Sequence, residues 1–243
     1  FFHTPPPPPP ILSGLVGSEM CIRDRCWTVD EGYKLVGIDA SGLELRILAH
    51  YMKDEEFTNE IINGDIHTFN QKLAGLESRD KAKTFIYALI YAAGDKRLSE
   101  ILGGSTEDAS RVRQHFYDNK PTFKALRDKV ARASEKKWLK GLDGRRLLIR
   151  TQHAALNTLL QGGGAIVMKR ALAMLHSLIK LQALDAHFVA NIHDEWQMEG
   201  RDDLADFVGK LAVDCIQTAG NYYNLRCPMD GEYKVGDNWS ETH

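Results

Sequence analysis

Two β-prone runs carrying an aspartate at their ends lie 155 positions apart, with helix-patterned sequence between them. That spacing constrains the fold more than any other feature of the chain. YKLVGID (33–39) is a short apolar run ending on Asp39, with Gly42 just beyond. HFVANI, then HDE, then WQME (187–199) reads as a two-stranded hairpin whose sharp polar tip carries Asp194. Between them, LELRILAHYM has apolar residues at helical spacing, and NGD at 63–65 is a turn signal with His67 opening another short helix. Asp80 through Tyr91 reads as a strong helix stopped near Gly94. Residues 106–140 read as two helices parted near Asn119–Pro121, and GLDG (141–144) as a turn before the β-prone LLIR. Thr158 to Lys180 reads as a long helix interrupted at Gly162–Gly164. No internal repeat is present. The pattern predicts an α+β fold, with helices inserted between two β-containing pieces.

Composition narrows the class. Of 243 residues, 43% are hydrophobic and 26% charged, which excludes a disordered or collagen-like chain. No apolar stretch reaches the roughly 18 residues that a membrane span needs. The net charge of −2 gives no sign of a nucleic-acid partner, but residues 127–150 carry a local +6 and residues 185–243 a local −8. Those segments are two solvated faces, or a phosphate-binding surface beside a metal-binding one. Cys21, Cys26, Cys215 and Cys227 form no CxxC pair and no zinc pattern. They predict free thiols in a reducing cytoplasm.

The first segment is unlike the rest. FFHTPPPPPP lacks an initiator Met, and six consecutive prolines favour an extended polyproline conformation, which a proline-recognising partner could also bind. No basic residues precede the apolar ILSGLVG, so it does not have the form of a secretory signal. GLVGSEMCIRDR resembles translated sequencing-adapter sequence. Residues 1–26 are therefore expected to be disordered and foreign to the fold.

Three constellations carry chemistry. Asp39 and Asp194 would repel if brought together, unless they held hard divalent cations; each alone could simply cap a turn. Arg79, Lys83, Tyr87 and Tyr91 recur every four residues and form one helical stripe. Two cations followed by two aromatics suit a nucleoside triphosphate, although snorkelling basic stems beside core aromatics would look similar. Asn157 and Gln161, one helical turn apart, could donate to acceptors in a duplex minor groove or be plain exposed amides. The glycines at 162–164 form neither GxGxxG nor a Walker loop.

DASGLELRILAHY from Asp39, RDKAKTFIYALIYAAG from Arg79 and IHDE at 192–195 together resemble the palm and fingers motifs of family A DNA polymerases, the group of DNA polymerase I. NGDIHT, KTFIY, GLDGR and HAALNTLLQ are most similar to the replicative enzymes of short-tailed phages. The resemblance runs from about Lys34 to the C-terminus. It implies a right-hand polymerase fold: an antiparallel palm sheet with inserted helical fingers, and neither thumb nor exonuclease. The implied pieces are palm at 27–50, fingers at 51–160 and palm again at 161–243.

The resemblance also implies residue roles. Asp39, Asp194 and the Ala40 carbonyl would hold two Mg2+ ions. His67, Arg79 and Lys83 would contact the dNTP triphosphate, with Lys83 a proton donor to pyrophosphate. Glu44, assisted by Tyr87, would exclude a 2′-hydroxyl. Tyr91 and Gly94 would border the templating base, and Asn157, Gln161 and His193 the primer–template end. Implied partners are primer–template DNA, dNTPs and, through regions outside this chain, a host processivity factor and a phage helicase; no membrane is implied. The setting would be the cytoplasm of a bacterial host. Ala92 stands where the family usually has Gly, and its methyl would crowd the template base. His153 stands where DNA polymerase I relatives carry Arg, and the fingers loop between Ala125 and Gly141 is short. The functional reading is a DNA-directed DNA polymerase. A single-subunit RNA polymerase, which Glu44 disfavours, and a non-catalytic nucleic-acid-binding fragment are the alternatives.

Overall fold

The computed structural model describes residues 24–192 and 194–243. The polyproline run, Cys21 and His193 lie outside the described residues. Residues 24–26, expected to be disordered, instead form a turn in which the Trp27 N–H reaches the Asp24 carbonyl at 3.3 Å. Thr28 then bridges to Asn238, which anchors the start of the fold to the far end of the chain.

Strand β1 (Tyr33–Asp39) is central, and the run Leu35–Ile38 is buried throughout. Four continuous buried residues rather than an alternating pattern are what a strand covered on both faces requires. Its partners are β5 (Glu195–Arg201) on one side and β6 (Glu232–Gly236) on the other, both antiparallel, and β4 (Ala186–Ile192) completes the order β4-β5-β1-β6. The hairpin expected at 187–199 is therefore present, with a register shift between Phe188 and Ala190. Strand β6 was not legible in the sequence, because EYKVG is short and bears two charges.

Helix α9 (Ala205–Tyr222) lies against one face of β1 through its Val208, Ala212, Cys215, Ile216 and Ala219 stripe. Cys215 and Cys227 are buried and free, and burial pushes the Cys215 thiol up to about 11. Across the sheet the short helix α10 (Trp239–Thr242) sits close over Gly37, where a Cβ would collide with the Thr242 carbonyl oxygen.

Between β1 and β4 run α1 (Leu43–Met52), α2 (Glu55–Asn63), α3 (Ile66–Ala74), α4 (Arg79–Ile90), α5 (Asp95–Leu102), α6 (Thr106–Asn119) and α7 (Pro121–Ala133). Edge-to-face contacts of Phe116 with Phe85 (5.7 Å) and Phe123 (5.5 Å) knit α4, α6 and α7 together. At the α6–α7 junction Lys120 is 3% exposed. Its ammonium lies 3.0 Å from Asp54 and 2.9 Å from Glu56, and over the Phe69 ring.

Two helical expectations need correction. The second helix of the 106–140 stretch ends at Ala133; a 3₁₀ turn and left-handed Lys137 (φ 60°) then deliver the hairpin β2 (Trp138–Lys140) and β3 (Arg146–Leu148). Pairing of Trp138 with Leu148 outweighs the helix-forming lysines. The second concerns Gly162–Gly164, which do not interrupt anything: α8 (Ala155–Leu181) is a continuous helix of 27 residues that runs through them and through the 160/161 boundary. A Cβ at 162, 163 or 164 would meet Leu147 at 3.1 Å, Ile47 at 2.9 Å and Leu43 at 2.9 Å. The glycines are where β3 and α1 approach the helix most closely, which offsets the roughly 1 kcal/mol that each costs in helix propensity. Among the described residues no helix is long and apolar enough to cross a membrane.

Candidate active site

A cleft of about 1110 Å³ opens at the end of β1 and runs between the sheet and α3–α4. Ten of the residues singled out from sequence line it: Asp39, Ala40, Glu44, His67, Arg79, Lys83, Tyr87, Tyr91, Gln161 and Asp194.

At the sheet end, the Ala40 N–H donates to the Asp194 carbonyl oxygen at 3.2 Å, so the end of β1 and the β4–β5 tip are one backbone unit. Asp39 faces Glu195 on β5 and Glu232 on β6 across the ladder. Burial first, then the charges of Asp194, Glu195 and Glu232, raise the Asp39 carboxyl to about 6. Glu195 is already committed, since it accepts from the Trp239 indole at 2.9 Å and meets the His243 ring at 2.7 Å. Beyond Asp39 the chain reverses into α1 through Gly42, whose φ of 60° is left-handed and suits a residue without Cβ.

At the helical end, Arg79, Lys83 and Tyr87 project from α4, with Tyr91 just past its last turn. Asp65 organises this end. Its carboxylate caps α3, accepting from the His67 and Thr68 backbones, and meets Arg79 Nε at 2.6 Å. The Arg79 guanidinium is the main reason that the Asp65 carboxyl lies well below the usual carboxylate range. Burial, then the cations Arg79 and Lys83, push the His67 imidazole below its ordinary value, so it is neutral near neutral pH. Sequence reading noticed only a turn at Asp65; its capping role shows in the NGD pattern, but its pairing with Arg79 does not.

Between the two ends lies Glu44 on the first turn of α1. The hydroxyl that reaches it belongs to Tyr91, which donates to Oε1 at 2.7 Å. Tyr87, the residue expected to assist Glu44, is half-buried and pushed up to about 12, chiefly by desolvation. Two expected residues among the described ones are not in the cleft lining, and a third lies outside the described residues. Gly94 begins α5, Asn157 lies one turn back from Gln161 with a buried, unpartnered Oδ1, and His193 is outside the described residues. Ala92 has φ 58° and closes α4: its N–H reaches the Leu89 carbonyl, and the Ala93 N–H that of Ala88 at 2.8 Å. This is a left-handed helix stop, the conformation in which glycine is favoured.

Among the described residues no group of three or more His, Cys, Asp or Glu side chains forms a metal cage. Magnesium nonetheless suits the donor set at the sheet end. It binds through one or two carboxylates plus substrate phosphates rather than through an all-protein cage. Asp39 and Asp194 supply hard oxygens, and the raised Asp39 carboxyl marks uncompensated negative charge that a divalent cation would relieve.

Residues 17–241 match the family model described as DNA polymerase family A; the match begins inside the segment set aside at 1–26. The chain is 40% identical to the DNA-directed DNA polymerase of Enterobacteria phage T3 over 232 residues, which is 85% of this chain and 33% of the relative. It is 39% identical to that of Escherichia phage T7 with the same coverage. It is 27% identical to the thermostable DNA polymerase I of Thermus aquaticus, covering 88% of this chain and 28% of the relative. The fold is similar to the POL domain of Pol1 from M. smegmatis, solved with DNA primer-template and dNTP. The TM-score is 0.81 at 24% identity, covering 90% of this chain and 42% of that one. The chain thus spans about a third of the length of the phage relatives.

Proposed function

The chain belongs to DNA polymerase family A, and from that premise we propose that it carries the nucleotidyl-transfer site of a template-directed DNA polymerase, adding dNTPs to a primer 3′-hydroxyl. The observation that carries the reading is the two-ended cleft. A carboxylate pair at the end of β1 faces a guanidinium, an ammonium and a neutral imidazole on α3 and α4, with Glu44 between them.

Asp39 and Asp194, with the Ala40 carbonyl, would hold two Mg2+ ions, which when bound neutralise charge on the attacking and leaving oxygens. Arg79 and Lys83 bind the triphosphate oxygens, Arg79 exchanging part of its contact with Asp65 for phosphate. His67, whose imidazole is pushed below its ordinary value by burial first and then by its cationic neighbours, donates a hydrogen bond without adding charge. The primer 3′-hydroxyl gives up its proton to cleft water as its oxygen bonds the α-phosphorus, the bond from that phosphorus to the bridging α–β oxygen breaks, and the departing pyrophosphate takes a proton from Lys83, which solvent restores. Glu44, held by Tyr91, fills the space beneath the sugar that a 2′-hydroxyl would need, with Tyr87 alongside. Tyr91 and Gly94 border the templating base. Gln161 presents its amide to the minor-groove face of the primer–template end, with Asn157 and His193 along the same duplex. Catalysis comes from positioning and from charge stabilisation in a partly desolvated cleft.

Single-nucleotide addition to a labelled primer–template with Mg2+ tests this, comparing dNTP with rNTP and using Asp194→Asn as control. Template-directed dNTP addition that vanishes in the variant supports the reading. A preference for rNTP overturns the DNA assignment. Salt-sensitive DNA binding without addition identifies a non-catalytic fragment instead.

A further inference from the structure

Arg46 was not singled out in the sequence, where it is one basic residue inside an amphipathic helix. In the structure it is 8% exposed, an unusual place for a guanidinium, and it separates the large cleft from a smaller cavity behind it. Its Nε donates to the Ser41 carbonyl at 2.7 Å and its Nη1 to the Pro228 carbonyl at 2.5 Å; Nη2 lies 4.0 Å from Asp230. One side chain therefore ties the turn after β1 to the segment that enters β6, Arg46 and Pro228 lying 182 positions apart in sequence.

Both segments border Asp39. The Ser41 N–H donates to the Asp230 carbonyl at 3.1 Å. That N–H and the Ala40 carbonyl belong to one trans peptide plane, so fixing one sets the direction of the other. The preceding peptide is fixed by the Ala40 N–H to the Asp194 carbonyl, and Gly231 approaches so closely that a Cβ there would fall 3.0 Å from the Asp39 carbonyl oxygen. Gln217 steadies the same segment by donating to the Asp230 carboxylate at 3.1 Å.

We infer that Arg46 is a positioning residue for the carboxylate end of the cleft: its guanidinium locks the Asp39–Ser41 backbone that presents the Asp39 carboxylate and the Ala40 carbonyl. Two donors held at a fixed angle are needed to reach the Ser41 and Pro228 carbonyls at once, and an ammonium has no such fork. The inference rests on the polymerase reading of the site.

The test compares the full chain with Arg46→Lys and Gln217→Leu. Three quantities are measured: Mn2+ affinity by electron paramagnetic resonance without DNA or nucleotide, the Mg2+ concentration for half-maximal dNTP addition, and Tm. Groups that orient metal-binding atoms typically change metal affinity by about 10- to 100-fold when altered. Arg46→Lys is expected to weaken Mn2+ binding and raise the Mg2+ midpoint by about tenfold, and Gln217→Leu to shift both the same way by about threefold. Wild-type Mn2+ affinity in Arg46→Lys, with only a lower Tm, overturns the inference and leaves Arg46 a packing residue. If Arg46→Lys fails to fold, an unshifted affinity in folded Gln217→Leu overturns it as well. A wild-type chain that neither binds Mn2+ nor adds nucleotide overturns the polymerase reading itself, and the inference with it.

Discussion

Replacing Asp39 with Asn should make the folded protein more stable while abolishing nucleotide addition. The Asp39 carboxyl is raised from 3.8 to about 6 by burial and by the surrounding carboxylates. A shift of about two pH units corresponds to roughly 3 kcal/mol if nothing screened it. The carboxylate is open to the cleft, so water and salt remove much of that, leaving roughly 1 kcal/mol. The sign follows from proton linkage: the folded state holds this proton more tightly than the unfolded chain does. The stability that Asp39 contributes is complete below about pH 4 and is lost as pH rises through about 6. Asp39→Asn should therefore raise Tm by about 2–4 °C near neutral pH and by almost nothing near pH 4. Thermal melts across that range, at low and high salt, read the effect, and high salt should shrink it. Millimolar Mg2+ should stabilise the wild type but not the variant, by mass action on the folded state. A variant less stable than wild type near neutral pH, or a gain that does not depend on pH, would show that the carboxylates are not in conflict.

Ala92→Gly should stabilise the chain by roughly 1 kcal/mol, because Ala92 has a left-handed backbone and the Cβ is the strained group; a lower denaturation midpoint would refute this. Tyr91→Phe removes the hydrogen bond that holds Glu44, so discrimination against rNTP should fall by about tenfold while dNTP addition persists. Unchanged selectivity in competitive single-nucleotide addition would sever Tyr91 from sugar selection. Gly163→Ala should cost about 1–3 kcal/mol despite alanine's better helix propensity, since its methyl would fall 2.9 Å from the buried Ile47. A neutral result in urea denaturation would mean that α1 can move away from α8.

Features that depend on near neighbours are legible in the order of residues alone. Strand β1, the β4–β5 hairpin and the helices over 43–52, 79–90 and 106–119 follow from periodicity and punctuation, since side-chain spacing alone decides which face is apolar. The α4 stripe was legible for the same reason, and the ordered motifs named the family. Tertiary structure alone decided how distant segments meet. Asp39 and Asp194 share one strand end only because β5 pairs with β1, and the Asp39 carboxyl is raised by the burial and then the neighbouring charges that this pairing brings. Glycines at 162–164 read as an interruption, yet they are contact points, because a missing Cβ is also an invitation to close approach. Glu44 meets the hydroxyl of Tyr91, at the C-cap of α4, rather than that of Tyr87 one turn earlier on the same stripe, a choice that spacing within α4 does not decide. Arg46 drew no notice in the sequence, because one of its two carbonyl partners, Pro228, lies 182 positions away. Burial and hydrogen-bond partnership are properties of pairs, and pairs far apart in sequence leave no periodic trace in either segment.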